Sequence, residues 1–318
     1  MEIAILLHVT SIFLITVLCV LGGAIGGGIS SVASMQALNI QPRAKSEIVR
    51  ASLIGLALIE TSTILALIIT IILFLKTPEH LVHSLSNSIA ELGITFAIGI
   101  TSFVVGIISA LPVKSTCYAI ARQPFFSQNI LNLMFITQSV IQSSVLFGFL
   151  VALLIKAQVT SLETTAQAFQ LLAAGLAIGI GSIGPAIGLS IFAEQACKGI
   201  SVNRSSYAKI LPFTLMSEGI IETPLIFAFA VSLVLLIPIN EPTTLTSIRA
   251  VAAALCIGIG TLGPSLSSSK LASKACEKIS SNPEHYSILS QTSMFGQGII
   301  DAAAVYALLT AILIIFLR

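Results

Sequence analysis

Residues 176–185 read LAIGIGSIGP, and residues 255–264 read LCIGIGTLGP, 79 positions later. The same offset relates ACKGIS at 196–201 to ACEKIS at 275–280, and EGIIE at 218–222 to QGIID at 297–301. Self-similarity at a fixed period indicates one structural unit that recurs along the chain. The N-terminal half has diverged further, but residues 22–28 (GGAIGGG) and the glycines at 93, 99 and 106 keep the same plan. The sequence therefore predicts four tandem copies of one unit.

The composition predicts that these copies lie in a membrane. The chain is 56% hydrophobic and 9% charged, whereas soluble domains carry about 25% charged residues. Crossing a bilayer requires about 20 apolar helical residues, and a backbone in lipid must satisfy its own hydrogen bonds, which favours helices over strands. Eight stretches qualify, and the longer ones are expected to project into water at one end: 3–33, 47–76, 87–112, 127–155, 166–196, 207–238, 246–275 and 286–317.

We therefore expect an all-α membrane protein with eight transmembrane helices, arranged as four tandem helical hairpins. The expected boundaries place hairpin 1 at 1–82, hairpin 2 at 83–162, hairpin 3 at 163–241 and hairpin 4 at 242–318. Each repeat holds two spans, so all four repeats have the same orientation. An inverted-repeat transporter would need an odd number of spans in each repeat.

Basic residues predict the orientation in the membrane, because basic loops stay cytoplasmic. Eleven of the fifteen basic residues follow the first, third, fifth and seventh stretches. These loops are expected to be cytoplasmic, with both termini outside. The N-terminus begins Met1-Glu2-Ile3 without a basic segment, so we expect no cleaved signal peptide. The eleven are Arg43, Lys45, Arg50, Lys114, Arg122, Lys198, Arg204, Lys209, Lys270, Lys274 and Lys278; the others are Lys76, Lys156, Arg249 and Arg318.

Several kinds of binding site are not expected. A net charge of +2 offers no basic patch for nucleic acid. The five cysteines lie in apolar runs or short loops without metal-ligand spacing, so we expect packing thiols and neither disulfides nor a metal site. The glycines lie within apolar helices and follow no strand, which argues against a dinucleotide-binding loop. No cofactor is expected.

Counting eighteen residues forward from one loop position in each copy reaches a polar residue every time. Pro42, Pro124, Arg204 and Pro283 lead to the following four residues: Glu60, Gln142, Glu222 and Asp301. Acids within a membrane are functional by default. A carboxyl group in lipid keeps its proton because the charged form is disfavoured, and it releases the proton where water is offered. A hydrogen bond that only packs two helices is the alternative for a single acid, but three acids at one depth favour ion transport.

Two neighbouring positions bear on which ion binds. A hydroxyl follows the polar residue in three copies, at Thr61, Ser143 and Thr223, and it either ligates sodium or bonds back to its own helix. The position one turn before holds Leu56, Gln138, Glu218 and Gln297 in copies 1 to 4. Positions i and i+4 share a helix face, so Glu218 and Glu222 are able to share one proton or one cation. Alternatively, Glu218 faces water nearer the cytoplasm.

Together these features resemble the c subunit of F-type ATP synthases. The residues that carry the resemblance are a glycine-rich first helix, the loop Ala121-Arg122-Gln123-Pro124, and a mid-membrane carboxylate eighteen residues after the loop proline. The usual family member is one hairpin, so this chain looks like four c subunits fused in tandem, as some V-type and archaeal proteolipids are fused. The chain itself is then not an enzyme but a rotor subunit.

The resemblance implies a ring of hairpins with the first helices inside and the second helices outside. Each outer carboxylate takes an ion from a half-channel in subunit a, beside its arginine, and ring rotation couples ion flow to ATP synthesis or hydrolysis. Carried over, Glu60, Glu222 and Asp301 bind the ion, while Gln142, Glu218, Thr61 and Thr223 form auxiliary or degenerate parts of the site. The implied partners are copies of this chain, subunit a, the γ and ε stalk subunits and membrane lipid.

The cytoplasmic loops are implied to contact the γ and ε subunits. The Arg-Gln-Pro motif is intact only in copy 2, so stalk contacts are expected to differ among copies. The loop residues concerned are Gln41, Pro42, Arg122, Gln123, Pro124, Asn203, Arg204, Asn282 and Pro283.

Protons are favoured over sodium as the coupling ion. Sodium-binding members of the resembled family carry Gln or Glu fifteen residues before the loop proline, where this chain has Gly27, Ser109, Leu189 and Ser268. The hydroxyls of Thr61 and Thr223 leave sodium as an alternative coupling ion. A V/A-type proteolipid is the alternative assembly, and a secondary ion transporter or channel is the alternative of another class. The expected location is a bacterial inner (cell) membrane.

Overall fold

The computed structural model describes residues 2–76, 84–160, 162, 164–237 and 243–316. Within these residues, eight helices are long and apolar enough to cross a membrane, which confirms the predicted fold class. They are α1 (Glu2–Ile40), α2 (Pro42–Leu75), α3 (Leu85–Arg122), α4 (Pro124–Val159), α5 (Thr165–Val202), α6 (Arg204–Leu235), α7 (Thr244–Ser281) and α8 (Pro283–Phe316).

The first helix of each hairpin continues past its predicted apolar stretch. For example, α3 runs to Arg122 rather than ending at 112, and α7 runs to Ser281 rather than 275. Apolar composition marks only the part that needs lipid, whereas a polar helix end is stable in water. The helices are therefore longer than their apolar stretches, and their projection beyond the membrane stays a prediction. The predicted hairpin boundaries fall at 82/83, 162/163 and 241/242, which involve residues outside the described ranges, and they stay a prediction.

Each of the four turns between paired helices uses a single non-helical residue. Gln41, Gln123, Asn203 and Asn282 have φ values of −139°, −136°, −147° and −130°, outside the helical region. One 3₁₀ turn then opens the second helix, and three of the four such turns begin with proline. Proline suits the first helical position because its fixed φ is helical and its missing N–H would be unsatisfied there anyway. The chain therefore reverses sharply and holds the paired helices antiparallel.

The helices form two rows, with α1, α3, α5 and α7 in one row and α2, α4, α6 and α8 in the other. Glycines bring the first row together backbone to backbone. A Cβ atom on Gly26 would overlap the Gly106 carbonyl, and one on Gly175 would overlap the backbone of Gly93. Small residues are favoured in this role because no hydrophobic force drives helix association in lipid. This explains the glycine-rich repeat that the sequence displays.

Prolines in the first row supply further contacts between hairpins. Pro112 and Pro185 carry no N–H, so the carbonyls four residues earlier lose their helical partners. Ser190 Oγ donates to the freed Ile108 carbonyl, and Thr261 Oγ1 donates to the freed Gly181 carbonyl at 3.1 Å. Each break in one helix is therefore satisfied by the first helix of the next hairpin, which fixes the register between neighbours.

The two rows are open at their ends. In the most apolar window of each span, 72% of residues are buried in α5, but only 28% in α1 and 11% in α8. Large apolar side chains consequently stay exposed on the terminal hairpins, including Phe13 of α1 and Phe295 of α8. Hairpins 1 and 4 each lack the neighbour that hairpins 2 and 3 have on both sides.

Candidate ion-binding site

The four residues at the predicted common depth all lie on the second row of helices. Gln142 of α4 is buried, Glu222 of α6 and Asp301 of α8 are half-buried, and Glu60 of α2 is exposed. The Gln142 Nε2 donates to the backbone carbonyl of Leu58 on α2 at 2.9 Å. The position therefore faces the second helix of the preceding hairpin. Glu60 is exposed because hairpin 1 has no preceding hairpin in this chain.

The acceptor carbonyl recurs with the repeat. Leu58 in hairpin 1 corresponds to Val140 in hairpin 2 and Ile220 in hairpin 3. Pro224 lies inside α6, four residues after Ile220, so the Ile220 carbonyl has no helical N–H partner. Asp301 follows in hairpin 4, and its Oδ1 is buried without a hydrogen-bond partner. Asp301 and Ile220 occupy the positions in hairpins 4 and 3 that Gln142 and Leu58 occupy in hairpins 2 and 1. The free Ile220 carbonyl is therefore the acceptor expected for Asp301.

Among the residues that the structure describes, no cation forms a salt bridge with the acids at this depth. The salt bridges among the described residues involve Glu91 and Glu277, and neither lies at the common depth. An ionised carboxylate in lipid without a counter-charge costs several kcal/mol.

The hydroxyls that follow the acids bond back to their own helices. Thr61 Oγ1 donates to the Ala57 carbonyl at 3.1 Å, and Thr223 Oγ1 donates to the Gly219 carbonyl at 3.0 Å. Ser143 Oγ likewise donates to the Val140 carbonyl at 2.7 Å. Of the two roles considered for these hydroxyls, back-bonding is the one that the geometry displays, and their hydrogens are not aimed at the neighbouring carboxyl groups.

The side chains one turn before the acids are buried in three copies. Gln138 Nε2 donates to the Ser109 carbonyl at 2.6 Å, and Gln297 Nε2 donates to Ser293 Oγ at 3.0 Å. Glu218 is 1% exposed, and neither of its carboxyl oxygens has a hydrogen-bond partner. The alternative that Glu218 faces water is therefore wrong, since its side chain is enclosed by the neighbouring helices.

Two of the four first-helix positions hold a hydroxyl, at Ser109 and Ser268, and the other two are Gly27 and Leu189. Ser109 Oγ lies 3.5 Å from Gln142 Nε2, which places it beside the site in hairpin 2. Its counterparts Leu189 and Ser268 are buried, and Ser268 Oγ has no hydrogen-bond partner. The amides of Gln138 and Gln297, one turn before the acid position, come from the second helices instead.

A second buried acid was missed by the sequence reasoning. Glu91 of α3 is 1% exposed, and its Oε2 lies 2.5 Å from His8 Nδ1 of α1. Its Oε1 lies 3.6 Å from Lys156 Nζ of α4. The corresponding positions in the other copies are Val9, Leu171 and Ala250, so the repeat gives no signal. The sequence nevertheless offered one indication of this site, because Glu91 is the one acid within the predicted apolar stretch 87–112.

The loop residues predicted to contact the stalk differ in their exposure. Arg122, Pro42, Arg204 and Asn282 are exposed. Gln123 is not free to bind a partner, because its Nε2 donates to the Ser201 carbonyl of α5 at 2.7 Å. The remaining residues of this set are half-buried, namely Gln41, Pro124, Asn203 and Pro283.

The sequence profile of the ATP synthase C-subunit family matches four separate segments, 11–73, 92–155, 172–235 and 251–314, one in each hairpin. Together they cover more than half of the chain. The chain belongs to the ATP synthase C-subunit family. The predicted resemblance is therefore confirmed, and this polypeptide is a tandem fusion of four c-type hairpins.

Curated relatives match one hairpin's length of this chain. The ATP synthase c subunit 2 of Cereibacter sphaeroides is 36% identical over 75 residues, which are 24% of this chain and 90% of that protein. The ATP synthase c subunit of Dehalococcoides mccartyi is 38% identical over 71 residues, 22% of this chain and 93% of that protein. The ATP synthase c subunit of Prochlorococcus marinus is 36% identical over 75 residues, 24% and 93% respectively. The family is that of a non-catalytic proteolipid, and the eight spans make this chain an integral membrane protein.

Proposed function

We propose that this chain is the proton-carrying rotor subunit of an F-type rotary ATP synthase in a bacterial cell membrane. Glu60, Glu222 and Asp301 carry the protons, and Gln142 occupies the corresponding position in hairpin 2 without titrating. Rotation past subunit a couples proton flow to ATP synthesis or hydrolysis. Membership of the C-subunit family supports this function over a secondary transporter or channel.

The contact between Gln142 and Leu58 carries the proposal. An amide N–H donates as the O–H of a protonated carboxyl group does. A protonated acid at this depth therefore donates to the carbonyl of the preceding second helix, as Gln142 donates to Leu58 at 2.9 Å, and faces lipid as a neutral group. Deprotonation leaves a charge that repels this carbonyl, so it occurs only where an aqueous path and the arginine of subunit a replace the lost contact.

The uncovered faces of hairpins 1 and 4 support assembly into a ring. In the proposed ring, α7 and α8 of one chain pack against α1 and α2 of the next, and Glu60 then faces the Ile299 carbonyl of the neighbouring chain. Electron microscopy of the isolated assembly, viewed along its axis, should show a closed ring. The hairpin count should be a multiple of four. A count that is not a multiple of four would contradict a ring built from whole chains.

The loops are proposed to lie on the cytoplasmic side, where Arg122 and the other exposed loop residues contact the γ and ε subunits. The intact Arg122-Gln123-Pro124 motif favours an F-type over a V/A-type assembly. Because the Gln123 amide is held by Ser201, the guanidinium of Arg122 is the group of this motif that is presented to a partner.

Sodium is a second candidate ion, favoured by one observation in hairpin 4. Asp301 Oδ1, Gln297 Oε1 and Ser268 Oγ are buried oxygens without hydrogen-bond partners. Oxygen ligands of this kind suit a small cation, whereas a proton on Asp301 would satisfy only one of them. The missing first-helix amide or acid nevertheless favours protons, and the two ions are separated by the experiment below.

Carbodiimide labelling tests the function and the ion together, because the reagent modifies protonated carboxyl groups in apolar surroundings. Glu60, Glu222 and Asp301 should be labelled in the assembled rotor, as read by mass spectrometry of their peptides, with loss of ATP-driven proton pumping. Labelling confined to Glu47, Glu277 and Glu284 would contradict the proposal. Protection by millimolar sodium at fixed pH would replace protons by sodium as the coupling ion.

A further inference from the structure

Hairpin 3 carries a second carboxyl group that the repeat does not require. Glu218 lies one turn before Glu222, at a position occupied by leucine or glutamine in the other three copies. Neither of its oxygens has a hydrogen-bond partner, and the side chain is almost completely enclosed. A polar group that makes no hydrogen bond in a buried position needs an explanation.

The surroundings of Glu218 exclude a permanent charge. None of the salt bridges among the described residues involves it. The neighbouring acid on the same helix is Glu222, and the nearby titratable group on the facing first helix is Cys197, which is itself buried. Two adjacent carboxylates without a cation repel each other, so at most one of this pair is ionised at a time.

The second observation concerns donors available to Glu222. Thr223 commits its hydroxyl hydrogen to the Gly219 carbonyl. Ser217 lies five positions before Glu222 and therefore on another face of the helix, where its Oγ accepts from Gln297 Nε2 of the next hairpin at 3.3 Å. Residues i and i+4 lie one above the other on a helix, so Glu218 shares a face with Glu222. An O–H on Glu218 is therefore the side-chain donor that this face offers to the Glu222 carboxylate.

We propose that Glu218 holds its proton throughout the rotary cycle and donates a hydrogen bond to Glu222 when Glu222 is ionised. The inference rests on the proposed function of Glu222 as a proton carrier. Glu222 releases its proton to water in the aqueous path, and Glu218 keeps its own, so one proton leaves and no other bond is broken. Glu218 is a positioning residue that makes the Glu222 site release protons more readily than the Glu60 site, where Leu56 offers no donor.

The test measures carbodiimide labelling of each acid against pH in the assembled rotor. In Glu218→Leu, the pH at which Glu222 labelling is half-maximal should rise by about one unit, because a hydrogen bond to a charged group is worth about 1.5 kcal/mol or more. In Glu218→Gln, whose amide still donates, it should stay near that of the parent. Glu60 and Asp301 serve as internal controls and should not move.

Each outcome has a separate meaning. A fall in the Glu222 midpoint in Glu218→Leu would show that Glu218 is charged, and an unchanged midpoint would show that it is not a donor; either result overturns the inference. Absence of labelling at Glu60, Glu222 and Asp301 would instead overturn the proposed function. If Glu218→Leu does not assemble, the infrared difference between parent and Glu218→Gln decides the question. It should contain a protonated carboxyl band at a pH where Glu222 is ionised, and a carboxylate band there would contradict the proposal.

Discussion

Two buried acids of this chain, Glu91 and Glu218, are equally enclosed but differ in their partners. Glu91 lies between His8 and Lys156, which hold its two oxygens and join α1, α3 and α4. Glu218 has no partner for either oxygen and lies beside another acid. A carboxylate with a lysine ammonium group beside it is stable as a fixed charge in a scaffold. An acid without cations must stay neutral, and it can therefore respond when water or a positive charge approaches. The presence of a nearby cation therefore separates an acid that is stable as a charge from one that stays neutral. The proposed ion carriers resemble Glu218 in this respect, since the salt bridges among the described residues include none of them.

The difference between paired and unpaired acids can be tested by giving a proposed ion carrier its own cation. Leu56→Lys places an ammonium group one turn before Glu60, on the same helix face. We expect ATP-driven proton pumping to fall by about tenfold or more, because an ion pair worth at least about 1.4 kcal/mol reduces protonation of Glu60 by that factor. In the proposed ring every site passes the stator in turn. A pair that stays charged cannot leave the aqueous path for lipid, whereas the neutral Gln142 can, so one such pair should stall the ring. Proton pumping into membrane vesicles measures the effect.

Leu56→Gln is the matched control, because glutamine occupies the same position naturally in hairpins 2 and 4 as Gln138 and Gln297. This variant should pump nearly as well as the parent. Equal activity of Leu56→Lys and Leu56→Gln, with the lysine shown to be present and the rotor assembled, would contradict the distinction drawn between paired and unpaired acids.

The same comparison predicts how the Glu91 cluster responds when it is taken apart. Lys156→Met should lower the free energy of unfolding by about 3–5 kcal/mol, because it leaves a buried carboxylate short of a cation. Replacing His8, Glu91 and Lys156 together by leucine should restore most of that loss, since apolar packing often equals or exceeds a buried ion cluster. Unfolding of the purified chain in detergent by sodium dodecyl sulfate provides the measurement. A triple variant less stable than Lys156→Met would contradict this prediction. It would show that the His8, Glu91 and Lys156 cluster stabilises the fold more than apolar packing does.

The repeat made the fold predictable from sequence, as well as the placement of these four residues on the second helices. A period of two spans fixes parallel hairpins, and counting eighteen residues from the turn reaches Glu60, Gln142, Glu222 and Asp301. These are properties of spacing along one helix, which sequence records directly. The extension of the first helices was underestimated at each end because hydropathy measures the need for lipid and not the ability to form a helix.

Contacts between hairpins could not be predicted in the same way. The Gln142 donor finds the Leu58 carbonyl because two second helices pack at one particular register, and the backbone acceptor leaves no trace in residue identity. His8 and Glu91 are 83 positions apart and break the repeat rather than follow it. Burial of Glu218 also depends on neighbours from other hairpins, which is why its sequence position was compatible with water as well as with the protein interior.

Gln142 extends the comparison of charged and neutral groups, because it is permanently neutral at a position where the other hairpins place acids. Its hydrogen bond to Leu58 keeps it packed as a protonated acid would be, but it cannot release a proton. Under the proposed function, each chain then offers three proton sites for four hairpins. With the same ATP yield per turn, fewer protons move per ATP, and more energy is available for each proton. Such a rotor favours pumping against a steep gradient and needs a larger gradient to make ATP.

Gln142→Glu should therefore raise the number of protons moved per ATP by about one third, since each chain gains a fourth site and each proton contributes about 2.3 kcal/mol per 100 mV. The measurement is the proton gradient at which net ATP turnover stops, which should fall by about one quarter. Gln142→Asn keeps an uncharged amide and serves as the control, with an unchanged ratio. The new glutamate must be shown to react with carbodiimide, because a glutamate that does not titrate cannot change the number of protons moved per ATP. An unchanged ratio with a titrating glutamate would mean that hairpin 2 passes the stator without exchanging an ion whatever residue it carries. The difference between hairpin 2 and its neighbours would then lie in its access to water, as set by the helices packed around it, and not in the chemistry of residue 142.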